Sequence, residues 1–97
     1  MSQNIVDYEA LEQAATQYQN AASEISDLVK SLTDLNNSIR DNRSWQNKTS
    51  EAFFQKFDDE YVPAFAKAAE DLDEVAKYIR QYSQNRQDED SAGAAQL

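Results

Sequence analysis

Two long series of apolar residues, spaced mainly by three and four positions, constrain the fold more than any other feature of the sequence. Such spacing puts the apolar side chains along one stripe of an α-helix, as in helices that pack side by side. The sequence therefore predicts an all-α protein built from two long amphipathic helices. The first series is Tyr8, Leu11, Ala15, Tyr18, Ala22, Ile25, Val29 and Leu32, widened by Leu28, Leu35 and Ile39, and the second is Phe54, Phe57, Tyr61, Phe65, Ala68, Leu72, Val75, Ile79 and Tyr82.

Glycine and proline are almost missing, which argues against a β-sheet protein. The 97 residues include only Gly93 and Pro63, and tight turns between strands depend on residues of these types. A chain of this length forms one small domain. The first helix is predicted to span residues 7–40, after a lead of residues 1–6, with Asp7 as its N-cap.

The bend between the two helices is predicted at residues 41–49. This segment loses the apolar period and gathers Asn, Asp and Ser, whose side chains cap helices and favour turns. Thr49 or Ser50 is expected to cap the second helix, because either hydroxyl can accept a hydrogen bond from the first turn. The expected fold is a helix-turn-helix hairpin.

The second helix is predicted to span residues 50–85. Pro63 lies inside it and either kinks a continuous helix or breaks it into two at Val62. The kink is favoured, because the apolar period stays in phase across the proline. Residues 86–97 have almost nothing to bury, so a disordered tail is predicted there.

A hairpin with such wide stripes is predicted to need a partner. Two antiparallel helices cover only one side of each other's stripe, and an exposed apolar strip usually marks an association surface. Antiparallel pairing with a second hairpin into a four-helix bundle would cover both strips. The pattern does not distinguish a copy of the chain from a related hairpin. The predicted dimer interface is Leu11, Tyr18, Ile25, Leu32, Phe54, Phe57, Tyr61, Phe65 and Leu72.

The residue types needed for most catalytic and metal sites are missing. The chain has no His and no Cys, so it has no ordinary general base near neutral pH, no thiol nucleophile and no imidazole or thiolate metal ligand. The acidic runs at residues 58–60 and 70–74 are typical of solvated helix faces. We therefore predict no enzyme activity, no catalytic or metal-binding residue, and no cofactor.

The net charge of −9 argues against nucleic-acid binding, because proteins neutralise phosphates with Lys and Arg. It also argues against binding to an anionic membrane, and hence against a membrane-active toxin, although the aromatic stripe of the second helix suggests one. The N-terminal residues show neither the basic nor the apolar region of a signal peptide. These features alone indicate a cytoplasmic helical adaptor or a structural coiled-coil protein.

Trp45 is the large aromatic residue of the polar bend. It either plugs the open end of the hairpin or forms part of a recognition feature. The tripeptide Trp45-Gln46-Asn47 lies between two amphipathic helices in a chain of about one hundred residues, and an aromatic segment, Ser50–Phe57, follows it. Over about residues 5–85, this layout resembles the WXG family of small type VII secretion substrates, the ESAT-six-like or Esx proteins.

The resemblance implies a hairpin that pairs antiparallel with itself or with a related hairpin. It also implies export without an N-terminal signal peptide, from the cytoplasm of a Gram-positive or mycobacterial-type bacterium, by a membrane complex with an FtsK/SpoIIIE-type ATPase. The chain would then act as a secreted effector or as a co-secreted, chaperone-like partner. The alternative is the cytoplasmic adaptor or coiled-coil protein without export.

The sequence departs from the family pattern at two places. Asn47 stands at the family's Gly position, and Asn is the residue next best able to take a left-handed turn. The family's C-terminal signal has Asp or Glu four residues after a Tyr, whereas Tyr82 is followed at that spacing by Arg86. In an antiparallel bundle, Trp45 of one chain and Tyr82 of the other are expected to form one composite surface.

Overall fold

The computed structural model describes the backbone of residues 5–95 and the side chains of residues 5–90. Helix α1 spans Tyr8–Asp41, helix α2 spans Lys48–Lys56, a π-helical turn spans Phe57–Tyr61, and helix α3 spans Val62–Ala95. The last three elements follow one another directly and form the second arm of a hairpin. No strand occurs in the described backbone, and the predicted all-α hairpin is confirmed.

Three contacts between the arms show that they run antiparallel. Arg80 pairs with Glu12 at 3.1 Å, Arg40 pairs with Asp58 at 3.7 Å, and Tyr8 bonds Asp90. The residue numbers in each pair sum to between 92 and 98, as expected when one helix returns along the other. The hairpin is elongated, with extents of 74 × 21 × 19 Å.

Helix α1 begins at the predicted cap and ends in a motif that the sequence did not reveal. The Asp7 carboxylate accepts a hydrogen bond from the Ala10 backbone N–H at 3.0 Å. At the other end, the Ser44 N–H donates to the Ile39 carbonyl at 3.0 Å and the Arg43 N–H to Arg40 at 3.2 Å. This is the Schellman pattern, which needs a left-handed residue just past the helix.

The bend forms with Asn47 at the family's Gly position, but the left-handed residue of the bend is Arg43, with φ of 56°, and not Asn47 as expected. Asn47 has extended backbone, φ −161° and ψ −177°, and its side chain caps α2. The predicted cap at Thr49 or Ser50 is therefore corrected to Asn47. The physical reason is that α2 already begins at Lys48, so Thr49 and Ser50 lie inside its first turn, and Asn47 is the extended residue whose carboxamide accepts from that turn.

Pro63 is accommodated by a change of helix type rather than by a break at Val62. Proline cannot donate to the helix ladder, and its ring crowds the carbonyl four residues earlier. The turn just before it widens to a π-helix, in which the Val62 N–H donates to the Phe57 carbonyl. Of the two predicted alternatives, the continuous helix is the one observed.

The second arm extends further than the sequence predicted. Residues 86–95 continue α3, which corrects the predicted disordered tail as far as residue 95; residues 96 and 97 lie outside the described residues. The prediction considered only apolar burial, but this segment has polar side-chain pairs at helical spacing. These pairs are Arg86–Glu89 at 3.2 Å, Gln84–Asp88 at 3.0 Å and Gln87–Ser83 at 3.2 Å.

The core of the hairpin is narrow and made mainly of small residues. Among the described side chains, the buried apolar residues are Ala15, Ala22, Phe54, Phe57 and Ala76. The alanines let α1 and α3 approach closely, while the two phenyl rings fill the end near the bend. In the described part of the chain, no helix combines the length and apolar character needed to cross a membrane.

Candidate functional site: an apolar face and two polar ends

The apolar face of the hairpin lies to one side of the line along which α1 and α3 touch. On α1, Ala22 is buried toward α3. Successive residues of a helix are 100° apart around its axis. On this wheel, four apolar residues of α1 all lie on the same side of Ala22, about 60–140° around the axis from it: Ile25, Leu32, Leu28 and Leu35. Leu28 and Leu35 are 59% and 55% exposed, so this flank of α1 faces solvent.

Helix α3 has a matching flank. Measured from the buried Ala76, the apolar residues Leu72, Ile79, Val75 and Tyr82 lie about 40–120° away in the same rotational sense. The two helices run in opposite directions and face each other. Turning the same way around each helix, viewed along its own chain direction, therefore leads to the same face of the hairpin. A shallow hollow shared by Leu72 with Ala14, Tyr18 and Ala21 of α1 shows the same arrangement.

The opposite face is polar. A groove of about 710 Å³ runs between the helices there. Three alanines form its floor, and its other lining residues are amides, serines and carboxylates, namely Gln19, Asn20, Ser23, Ser26, Asp27, Glu70 and Asp73. The hairpin therefore presents one apolar face and one polar face, as expected of a bundle component whose apolar face meets a partner.

The predicted interface residues fall into three groups. Tyr18, Tyr61 and Phe65 are about 40% exposed. Phe54 and Phe57 are buried inside the hairpin and therefore belong to its own core, so they are removed from the predicted interface. The half-buried remainder is Leu11, Ile25, Leu32 and Leu72. Leu28 and Leu35 were missed because they lie off the alternating three-four spacing, although they visibly widen the stripe.

An aromatic cluster closes the bend end of the hairpin. The Trp45 ring lies 5.6 Å from that of Phe53 and 5.9 Å from that of Phe54, edge-on in the second case. Phe53 also lies 6.5 Å from Phe57. The Arg40 guanidinium lies over the Phe54 ring at 4.8 Å. Trp45 therefore packs on the end of the core, as the plug interpretation requires, and it also keeps 38% of its surface exposed.

The exposed part of Trp45 borders an open cleft of about 480 Å³. Arg40 and Arg43 line it together with Glu51, Asp58 and other polar residues. The cleft therefore combines an aromatic wall with charges of both signs. Its arrangement suits recognition of a polypeptide surface better than binding of a small ion. In the described part of the chain, no cluster of His, Cys, Asp or Glu side chains is arranged to hold a metal ion.

The predicted C-terminal signal lies at the other end of the hairpin. Tyr82 is 45% exposed, and Arg86 pairs with Glu89 at 3.2 Å. The Tyr8 hydroxyl donates a hydrogen bond to Asp90, which raises the pKa of Tyr8 above its ordinary value. Tyr82 lies opposite the start of α1, far from the bend, so one chain does not bring Trp45 and Tyr82 together.

The fold and the layout of the site define a small helical hairpin with a WXG-type bend. Residues 3–91 match the family WXG100, described as proteins of 100 residues with WXG. The chain therefore belongs to the WXG family of type VII secretion substrates, the ESAT-six-like proteins.

The fold is also similar to a solved structure, EsxA from Geobacillus thermodenitrificans in crystal form I. The two chains are 27% identical and superimpose with a TM-score of 0.82, over 98% of this chain and 100% of the other. Comparison with curated proteins yields no significant match.

Proposed function

We propose that this type VII substrate acts by helix–helix association, as a secreted effector or as a co-secreted, chaperone-like partner. Family membership supports the export route, and the exposed apolar face supports association. The observation that carries the proposal is this face, on which Leu28, Leu35, Phe65 and Val75 remain 37–59% exposed. Exposed apolar patches of this kind mark protein–protein contact sites.

A lone hairpin has little to stabilise it. Among the described side chains, three of the five buried apolar residues are alanines, whose side chains bury little apolar area. The leucines and the aromatic rings other than Phe54 and Phe57 stay partly in water. The projected area of one face is on the order of 1,500 Å² (74 Å by 21 Å), and stable interfaces bury about 1,200–2,000 Å² in total. Covering about half of this face on each of two partners would bury an area within that range.

A second copy of the chain is the partner that we propose first, and a related helical hairpin is the alternative. In an antiparallel pair, α3 of one chain ends near the bend of the other, so Trp45 and Tyr82 from different chains meet. We propose that this composite surface is what the FtsK/SpoIIIE-type ATPase recognises before export from the cytoplasm. The polar groove of each hairpin then faces water, which keeps the pair soluble.

Light scattering of the purified protein across a dilution series tests the pairing. A stable mass near twice 11.0 kDa is expected for the homodimeric bundle. Leu28→Glu is expected to shift the protein to the monomer, because it puts a charge into the apolar contact. Ser23→Glu is the matched control, because it adds the same charge to the same helix on the polar face. If the wild-type protein is a monomer, the partner that covers the apolar face is instead a different helical hairpin.

Export is tested separately by comparing culture supernatant with cell lysate in a strain with a type VII system. The secreted fraction is expected to fall when Trp45 is replaced by Ala. A chain that stays entirely in the lysate, whatever its oligomeric state, would instead support the cytoplasmic adaptor.

A further inference from the structure

The two free ends of the hairpin are joined by polar contacts, which we call the terminal clasp: Tyr8, Glu12 and Thr16 of α1 with Arg80 and Asp90 of α3. The Arg80 Nε donates to both carboxylate oxygens of Glu12, at 3.1 and 3.3 Å. Its Nη2 donates to the Thr16 hydroxyl at 3.2 Å, and the Tyr8 hydroxyl donates to Asp90. The clasp therefore contacts α3 just before residues 82–90, at Arg80, and at the last of these residues, Asp90.

Residues 82–90 of α3 bury almost no apolar side chain of their own. Among the described side chains of α3, the last fully buried apolar residue is Ala76. Beyond it, the buried position is Ser83, whose hydroxyl accepts from the Gln87 amide at 3.2 Å. A helical end without apolar burial frays unless other contacts hold it. Those contacts are the clasp and the local pairs within the segment.

The same segment contains Tyr82 and Arg86, the predicted C-terminal signal. Both lie between Arg80 and Asp90, the two residues of α3 that contact α1 in the clasp. Asp90, the acidic group that follows Arg86 by four residues, is exposed and accepts a hydrogen bond from the Tyr8 hydroxyl. Tyr82 itself remains 45% exposed, so the clasp orders this segment without covering the tyrosine.

We propose that Tyr8 and Glu12 of α1 are positioning residues for the C-terminal export signal, because they hold residues 82–90 as a helix with Tyr82 facing outward. This inference rests on the proposed function. It gives the start of α1 a role in export, in addition to the roles of the bend and of the C-terminal signal. A signal displayed on an ordered helix is recognised at a lower entropy cost than one that must fold on binding.

The test uses the full-length chain and two readouts. Hydrogen–deuterium exchange of peptides covering residues 82–90 reports order, and the ratio of supernatant to lysate reports export. Tyr8→Phe keeps the ring but removes the hydroxyl, and it is expected to raise the exchange rate about two- to fivefold, as for one exposed polar contact. Export should fall with it. Tyr78→Phe is the matched control, because Tyr78 is 72% exposed and lies outside the clasp.

A charge exchange separates positioning from a general loss of folding. Glu12→Arg places two cations together, and it is expected to raise exchange and lower export. Adding Arg80→Glu to that variant restores the attraction and should restore both readouts. Unchanged exchange in Tyr8→Phe and Glu12→Arg, or faster exchange with undiminished export, would overturn this inference while wild-type export still supported the proposed function. A wild-type chain that is never exported would overturn both.

Discussion

Asn47 and Ser50 close the start of α2 by exchanging hydrogen bonds. The Ser50 N–H donates to the Asn47 Oδ1 at 2.8 Å, and the Asn47 N–H donates to the Ser50 Oγ at 2.9 Å. The Ser50 hydroxyl also donates to the Asn47 carbonyl at 2.8 Å, and Ser50 is 1% exposed. This capping box fixes the direction in which the second arm leaves the bend, directly after Trp45.

Removing the Ser50 hydroxyl is expected to destabilise the protein. Ser50→Ala removes the acceptor of the Asn47 N–H, whereas the Asn47 carbonyl keeps its hydrogen bond from the Glu51 N–H at 3.1 Å. The free energy of unfolding should therefore fall by about 1–2 kcal/mol. Asn47→Gly restores the family tripeptide, and its cost should be only a few tenths of a kcal/mol, since glycine is a fair N-cap. Urea unfolding measures both. An equal loss in the two variants would contradict the role given to the hydroxyl.

Replacing Arg43 by glycine is expected to stabilise the protein. The left-handed backbone brings a Cβ close to a carbonyl, at a cost of about 1–2 kcal/mol that glycine avoids. Glycine also gains freedom in the unfolded chain, so the net gain in unfolding free energy should be about 0.5–1 kcal/mol.

Thermal unfolding followed by circular dichroism measures this gain, which corresponds to a rise in Tm of about 4–8 °C per kcal/mol in a domain of this size. Lys30→Gly is the control, because it also replaces a cationic residue by glycine, but at a right-handed position in the interior of α1. It should lower the unfolding free energy by about 0.7–1 kcal/mol. A lower Tm for Arg43→Gly would show that the guanidinium contributes more than the backbone strain costs.

Shortening Trp45 is expected to weaken the bend end of the hairpin. The ring packs on Phe53 and Phe54 but is partly exposed, so Trp45→Ala should lower the unfolding free energy by about 2–3 kcal/mol, below the cost at a fully buried site. Trp45→Phe should retain roughly half of that stabilisation by the same reasoning. Tyr78→Ala is the control on an exposed surface, where changes usually stay within about 0.5 kcal/mol. Unfolding midpoints in urea distinguish these variants.

If Trp45→Ala changes neither stability nor export, the bend has no special role. If Trp45→Ala lowers export, and Trp45→Phe recovers part of the stability but none of the export, the indole itself takes part in recognition at the cleft beside Arg43.

The hydrogen bond between Tyr8 and Asp90 should make the stability of the protein depend on pH in alkaline solution, where the Tyr8 hydroxyl ionises. The hydrogen bond to Asp90 is the largest cause that raises the pKa of Tyr8 above 10.0. A raised pKa means that the folded state holds this proton more tightly than the unfolded state. The stabilisation is therefore complete below pH 10 and is lost as the pH rises through the folded-state pKa.

Carbon-13 NMR of the tyrosine ring carbons can follow this titration. The Tyr8 pKa is expected to lie above its ordinary value, and Asp90→Asn should move it down toward that value. A Tyr8 pKa that Asp90→Asn leaves unchanged would mean that the bond is not formed in solution.

Much of this protein follows from the sequence because its helices repeat one simple pattern. Three-four spacing from Tyr8 to Leu32 and from Phe54 to Tyr82 determines two amphipathic helices, since an α-helix turns 100° per residue regardless of its surroundings. Asp7 marks the start of α1 through a contact three residues away. The absence of His and Cys limits the chemistry in the same direct way. The family layout was recognisable because its parts are also local in sequence.

Tertiary structure decided what depends on contacts between distant residues. The spacing put Phe54 and Phe57 on the same stripe as Leu72, and only the packing of the two arms shows that the phenyl rings are internal while leucine flanks such as Leu28 face outward. The local polar pairs of residues 83–89 can be read from the sequence, but the contact that ties this segment to α1 cannot, because Asp90 bonds Tyr8, which is 82 positions away in the sequence. Periodicity determines which stripe is apolar, whereas only the position of the second helix determines which part of that stripe remains exposed for a partner.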